Sequence, residues 1–438
     1  MTTPVNTLAE VKLWGRRIGA VALAAESDVA SFEYEAAFAG SGIEVSPLVM
    51  PLSRQIYQFA DLPRGTFYGL PGLLADSLPD RFGNQLINAW LARQGRTPDS
   101  FNAVERLCYI GARGMGALEF LPTTGPKAIQ SSELQINHLV ELASEVLSER
   151  ADMHSSFADD HRAQALTDIL RVGTSAGGAR AKAVIAWNPA TNEVRSGQLE
   201  SGDGFQYWLL KFDGVTGNKD KELEDPQGYG AIEYAYSNMA RDCGIEISEC
   251  RLFEEGNRRH FMTRRFDRSA NGAKLHMQTL GALAHYDLNA AGAYGYEQAL
   301  LVIRQLGLPM SATEEQFRRM VFNVVARNQD DHVKNIAFLM NKQGQWSLSP
   351  AFDITYSYNP QGQWTGSHQM TLNGKRDDFV LADFVAVANS ASMAKGRART
   401  IIEEVQDVVS HWRDYAHVAG VSDDWQRKIQ KVLRLGQF

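Results

Sequence analysis

Cysteine is scarce. Only Cys108, Cys243 and Cys250 occur in 438 residues, and no two form a C-x-x-C pair. That excludes a disulfide framework and a thiolate zinc site, and it fits a reducing cytoplasm. Positive charge is also short: 44 Lys and Arg against 51 Asp and Glu leave a net charge of -7. Without an overall basic field the chain is not expected to hold nucleic acid by counterion release. Long apolar runs are absent; stretches such as Ile18 to Ala25 are too short to span a bilayer. The opening MTTPVNTLAEVKLWGRR lacks the pattern of an export signal, so neither membrane insertion nor export is expected. Internal repeats and low-complexity tracts are missing too, which removes solenoids from consideration.

What remains is ordinary globular composition, 44% hydrophobic and 22% charged, on a chain long enough for two or three domains. The first 125 residues read as a small α/β domain. Strand-like runs at Val11 to Trp14, Ile18 to Leu23, Leu107 to Ile110 and Ala117 to Leu121 alternate with helical stretches such as Pro71 to Ala92. Gly111, Gly114 and Gly116 read as a tight hairpin or bulge between two strands. Residues 126–164 turn polar and helical, with a helix expected over Leu134 to Glu149, and serve as a connector.

A second module opens with a strand at Ile169 to Val172, the glycine-rich stretch GTSAGGARAK, and a strand at Ala183 to Trp187. The run Tyr207 to Phe212 follows as a strand that carries Lys211, and Ala231 to Cys243 has the spacing of a helix bearing Glu233. Lysine in so apolar a run must snorkel to solvent or meet an anion such as an ATP phosphate. Glu233 reads as a surface glutamate or an ion-pair partner for Lys211, and Lys182 as a solvated strand residue. Strand, loop, strand, strand with a lysine, helix with a glutamate is the order of a kinase small lobe. Helices predominate from about Arg268 onward. One is expected from a capping box, Ser311-x-x-Glu314, through the periodic residues Phe317, Met320, Val321, Val324 and Val325.

That helix leads into N-Q-D-D-H-V-K-N, where Asp330 and Asn335 have the D-x-x-x-x-N spacing of kinase catalytic loops. The aspartate orients an attacking hydroxyl and accepts its proton, while the asparagine turns an oxygen to Mg²⁺. The bland alternative is a polar loop after a helix. With His332 the loop also fits D-x-H-x-x-N, as in lipid and small-molecule kinases; the histidine is read as support for the loop. A hairpin of Ile336 to Met340 and Gln345 to Leu348 should return Asp353 beside Asn335, giving two oxygen ligands suited to Mg²⁺.

Taken together, Thr174-Ser175-Ala176-Gly177-Gly178-Ala179-Arg180-Ala181-Lys182, Lys211, Arg265-Phe266-Asp267-Arg268, D-D-H-V-K-N and Ser349-Pro350-Ala351-Phe352-Asp353 resemble the HipA-type serine/threonine kinases. These are toxins of bacterial toxin-antitoxin modules. Gly15-Arg16-Arg17-Ile18-Gly19 and Leu73-Leu74-Ala75-Asp76-Ser77-Leu78-Pro79-Asp80 are similar to that family's coupling domain. The resemblance implies an α+β, two-lobed, protein-kinase-like fold with an N-terminal α/β coupling domain (1–125), a helical connector (126–164), a small lobe (165–265) and a largely helical large lobe (266–438). It implies ATP and Mg²⁺ as cofactors, Asp330 as catalytic base assisted by His332 and Asn335, and Asn335 and Asp353 as metal ligands. Ser175, Ala176, Gly177, Gly178, Ala179, Lys211 and Phe266 would bind ATP, and Ser175 would be autophosphorylated, with the neighbouring Thr174 as the alternative acceptor. Arg264, Arg180 and Ala181 depart from residues seen in other members. The implied partners are a protein substrate and a HipB-like DNA-binding antitoxin, through which alone the chain would reach DNA. A small-molecule kinase and a catalytically silent co-repressor are the alternatives.

Overall fold

The computed structural model describes residues 7–125, 134–147, 168–170, 172–173, 180–198, 202–215, 219–220, 223–224, 227–269 and 272–438. The chain divides into two compact units. One comprises Met1–Asp220, Met262–Gln278 and Leu339–Gln345, the other Lys221–Phe261, Thr279–Phe338 and Trp346–Phe438.

The first unit opens with an antiparallel sheet in the order Ile56–Tyr57, Ala30–Tyr34, Arg16–Leu23, Leu8–Leu13, Leu118–Leu121. Alternation of buried and exposed positions along Leu8–Leu13 turns Ala9, Val11 and Leu13 inward. Leu107 to Ile110, expected as a strand, is the end of the helix Ala103–Ile110. Asn102 and Glu105 close a capping box at its start, which outweighs the strand-like composition of its last residues. The helical stretch expected from Pro71 to Ala92 is two helices, Gly72–Ala75 and Arg81–Arg93, with Asp80 capping the second through the Gly83 N–H at 3.1 Å. Ile169 and Leu170, expected in a strand, are helical. The connector contains the helix Ile136–Leu147 within the span expected for it.

A second sheet of this unit places Lys182–Asn188 between Glu193–Ser196 and Gln206–Lys211, with the end of the strand Arg258–Arg264 beyond. Six consecutive residues of Lys182–Asn188 are buried, so this strand is covered on both faces. Lys182, expected in solvent, is 2% exposed and lies 3.5 Å from the carboxylate of Asp80. It also sits directly opposite Lys211 in the strand register.

The second unit is mainly helical. The expected helix is Met310–Val325, but it begins after Pro309 and has no side-chain cap, so Ser311 lies inside its first turn. All five residues of the expected stripe are buried, and so are Arg319, Phe322 and Asn323; this helix is enclosed nearly all round. Tyr236, on the helix Tyr229–Asp242, packs edge-on against Phe322 and Trp412 and donates its hydroxyl to the Ala326 carbonyl at 2.8 Å. The end of the long helix, two residues before Asn328, is thereby fixed. Glu233, read from sequence as a surface residue or an ion-pair partner, is 2% exposed.

One buried charge organises the first unit. Asp267, fully buried, accepts bonds from Arg265 Nε (2.8 Å) and Nη2 (2.7 Å), from Arg268 Nη1 (2.7 Å) and from the Gly116 N–H (2.7 Å). Gly116 has φ +73, a conformation that favours glycine, and joins the helix end at Gly111 to the strand Leu118–Leu121 rather than linking two strands. Burial pushes the Asp267 carboxyl up, but the two guanidiniums and the Gly116 N–H outweigh it and hold the group far below the ordinary carboxylate value. The folded state therefore binds fewer protons in acid than the unfolded chain. Its stabilisation is complete above about pH 4 to 5 and is lost as pH falls. Asp267→Asn leaves two buried cations uncompensated and should cost about 3–5 kcal/mol. Urea unfolding from pH 7 to pH 3 should show the gap between wild type and variant narrowing as the pH falls.

Candidate active site

The expected catalytic loop leaves the long helix at Ala326 and passes through Arg327, whose φ is +58. Arg327 is held by its Nε on the Val432 carbonyl at 2.7 Å, and its guanidinium lies 4.4 Å over the Tyr358 ring. A parallel bridge joins Asn328 to Ser357, closed by Ser357 N–H to Arg327 O at 3.0 Å and Gln329 N–H to Ser357 O at 3.1 Å.

Within the loop, the Asn335 Nδ2 donates to the backbone carbonyl of Asp330 at 2.8 Å. This bond closes the D-x-x-x-x-N segment into a ring through the asparagine Nδ2. His332 accepts the Lys334 N–H on Nδ1 at 3.2 Å and so caps the short turn Val333–Asn335 that carries Asn335. Its Nε2 lies 3.9 Å from Asp330 Oδ2.

The hairpin also forms, with strands Ala337–Met340 and Trp346–Leu348 and a turn closed by Gly344 N–H on Asn341 O at 3.0 Å. Arg319, buried on the long helix, fixes the returning segment by donating Nη2 to Ser349 O at 2.8 Å, and Ala351 N–H bonds Glu246 O at 2.7 Å. Asp353 follows with φ +53, a left-handed conformation that costs energy for any residue with a side chain and often accompanies function. His332, Asn335, Asn328, Phe352 and Ile354 line one recess, with Asp331 but neither Asp330 nor Asp353 among its lining residues. Among the described residues no group of three or more His, Cys, Asp or Glu side chains could hold a metal ion by itself. Lys211 is buried and Phe266 half-buried, both in the first unit. Ser175, Ala176, Gly177, Gly178 and Ala179 lie outside the described residues.

Sequence reading singled out Asp330 and passed over its neighbour. Asp331 is buried and accepts the Gln369 N–H on Oδ1 at 2.7 Å, and on Oδ2 the Tyr296 hydroxyl at 2.6 Å and His368 Nδ1 at 2.8 Å. Arg434 Nη1 lies 3.2 Å from His368 Nε2, on the side of the imidazole away from Asp331. On the other side Asn323 Nδ2 reaches the Tyr296 hydroxyl (3.0 Å), and Asn328 Nδ2 reaches Asn323 Oδ1 (2.9 Å) and the Asp353 carbonyl (3.5 Å). A continuous polar chain thus runs from Arg434 through Asp331 to the backbone of Asp353. Burial pushes the Asp331 carboxyl up; the charge and hydrogen bond of His368, with the Tyr296 hydroxyl and the Gln369 N–H, more than offset this and hold it below its ordinary value. The doubled aspartate of D-D-H was the only sequence signal for this network.

The α+β fold is of the two-lobed, kinase-like class. Within that class the chain belongs to the HipA family: the HipA N-terminal domain matches residues 9–121 and the HipA-like C-terminal domain residues 174–412. Among solved structures the chain is similar to HipA in the Shewanella oneidensis MR-1 toxin-antitoxin complex of HipA, HipB and operator DNA. Identity is 15% and the TM-score 0.68, over 97% of this chain and 96% of that one. It also matches the Helicobacter pylori proinflammatory kinase CtkA at 14% identity and a TM-score of 0.36, over 59% of this chain and 91% of that one, too weak a likeness to bear on the fold. No curated protein matches the sequence.

Asp331→Asn removes the charge on which His368, Tyr296 and the Gln369 amide converge, and should cost about 3 kcal/mol. Hydrogen exchange at the Gln369 amide should speed up well beyond the global loss of stability in Asp331→Ala, where that N–H loses its acceptor, and less in Asp331→Asn, whose Oδ1 still accepts.

Proposed function

We propose that the chain is an ATP- and Mg²⁺-dependent serine/threonine protein kinase, the growth-inhibiting toxin of a toxin-antitoxin module in the cytoplasm. The observation that carries this reading is the Asn335 bond to the Asp330 carbonyl, which ties the proposed metal ligand to the proposed base. The donor set fits the ion: a carboxylate from Asp353 and an amide oxygen from Asn335 are hard ligands, and their small number suits Mg²⁺, which keeps water and phosphate oxygens in its shell. Bound Mg²⁺-ATP would supply the transferable phosphoryl group and the charge compensation on its phosphates. Asp330 orients a hydroxyl of the target protein and takes its proton as the new O–P bond forms and the bond to the ADP oxygen breaks. Lys211 bonds phosphate oxygens; it is buried, and its strand partner Lys182 lies 3.5 Å from the Asp80 carboxylate. Phe266 lies on the segment where adenine docks.

In this reading residues 1–125 are the coupling domain, 126–164 the connector, 165–265 the small lobe and 266–438 the large lobe. The glycine-rich stretch around Ser175 to Ala179 covers the phosphates. Autophosphorylation of Ser175 would add about -1.5 to -2 charges where the nucleotide phosphates sit and would switch the enzyme off. Family membership and the likeness to a HipA captured with HipB and operator DNA support a basic, DNA-binding antitoxin as partner. A chain of net charge -7 suits such a partner and needs it to reach DNA.

Asp330→Asn should lower phosphoryl transfer by about 10²–10⁴-fold in a [γ-³²P]ATP assay while leaving ATP affinity within a few-fold. Asp353→Asn should instead weaken nucleotide binding only when Mg²⁺ is present, as read by calorimetry with and without the ion. Near-normal turnover by the Asp330 variant would sink the assignment of the base.

A further inference from the structure

Two adjacent aspartates serve one loop. The segment Tyr358 to Gln369 stands with its foot on Asp331, through His368 Nδ1 and the Gln369 N–H, and is compact above that foot. Asn359 N–H bonds Thr365 O at 3.3 Å, Gly362 N–H bonds Asn359 O at 2.9 Å, and Gly366 passes so close to Gly362 that a β-carbon there would lie 2.3 Å from its carbonyl oxygen. Gln369 Nε2 donates back to the Trp364 carbonyl. What this loop carries at its turn is an indole: Trp364 Nε1 donates to Asp330 Oδ1, and its half-buried ring lies 6.5 Å from the His332 ring.

We propose that Trp364 is a positioning residue for Asp330. Its indole N–H occupies one carboxylate oxygen and fixes the plane of the group, so that the other oxygen, Oδ2, meets the acceptor hydroxyl. A carboxylate on a single-bonded stem otherwise turns about χ2, which is broad and two-fold. The indole also has no acceptor atom, so it can restrain the aspartate without competing for the proton that the aspartate takes. Its footing explains the second aspartate of D-D-H: Asp331 fixes the loop, and the loop fixes Asp330. The inference rests on the kinase reading of Asp330, and its test has one arm that does not.

In ¹⁵N-tryptophan-labelled full-length protein, one of the eight indole resonances should vanish in Trp364→Phe, and that same resonance should shift in Asp330→Ala. Transfer from [γ-³²P]ATP into the chain itself and into a serine/threonine peptide mixture then reads the consequence. Trp364→Phe, which keeps the ring packing and removes the N–H, should lower kcat at least tenfold while the KM for ATP stays within twofold and the melting temperature is unchanged. An indole that ignores Asp330→Ala, a kcat within twofold of wild type, or a loss that falls on KM and melting instead would each overturn the proposal. If wild type transfers no phosphate, the kinase reading fails and the proposal with it; the indole shift would still tell that failure from the absence of the contact.

Discussion

The second unit is built around a buried carboxylate on which distant elements converge. Asp331 is buried, and removing a charge from water costs several kcal/mol unless partners surround it. Its partners come from three distant places: Tyr296 from the helix Tyr296–Gln305, His368 and Gln369 from the segment after the returning aspartate, and Arg434, by way of His368, from near the last residue of the chain. Each brings its own element to the loop. Because Asp331 and Asp330 are consecutive, whatever immobilises the first limits where the backbone of the second can be. An isolated loop of N-Q-D-D-H-V-K-N would have none of these partners, and the energy that orders it resides in groups distant in sequence.

Asp267 repeats the logic in the first unit. There the motif R-F-D-R, which resemblance alone would assign to nucleotide binding, has a structural content: both arginines close on the aspartate between them, and Gly116 adds its N–H. Phe266 is carried on that rigid turn, so its orientation follows from the ion cluster around it. The cost of such clusters is sensitivity to the loss of any one member, since a buried guanidinium without its carboxylate is worse than none.

Local chemistry accounts for what the sequence made legible. The long helix announced itself through the spacing of Phe317, Met320, Val321, Val324 and Val325, and the hairpin through the turn residues between two apolar runs; both are interactions between near neighbours. Leu107 to Ile110 misled because four residues of strand-like composition end a helix whose start signal, Asn102-x-x-Glu105, lies upstream. Lys182 was misread because its carboxylate partner, Asp80, is 102 residues away. The same distance problem hid the contacts of Asp331 and Trp364: His368 lies 37 residues from Asp331, and Trp364 lies 34 from Asp330. Periodicity carries no information about such pairs. The spacing of Asp330, Asn335 and Asp353 was visible because it matches the spacing that phosphoryl transfer asks of a base and two metal ligands.

That task is the central claim, and the nucleotide complex tests it directly. A crystal structure of the chain with Mg²⁺ and a non-hydrolysable ATP analogue should place Asn335 Oδ1 and a carboxylate oxygen of Asp353 at about 2.0–2.1 Å from one Mg²⁺ that also touches phosphate oxygens. Asn335 Nδ2 should remain on the Asp330 carbonyl. A nucleotide bound elsewhere, or a metal ion that neither Asn335 nor Asp353 touches, would contradict the account.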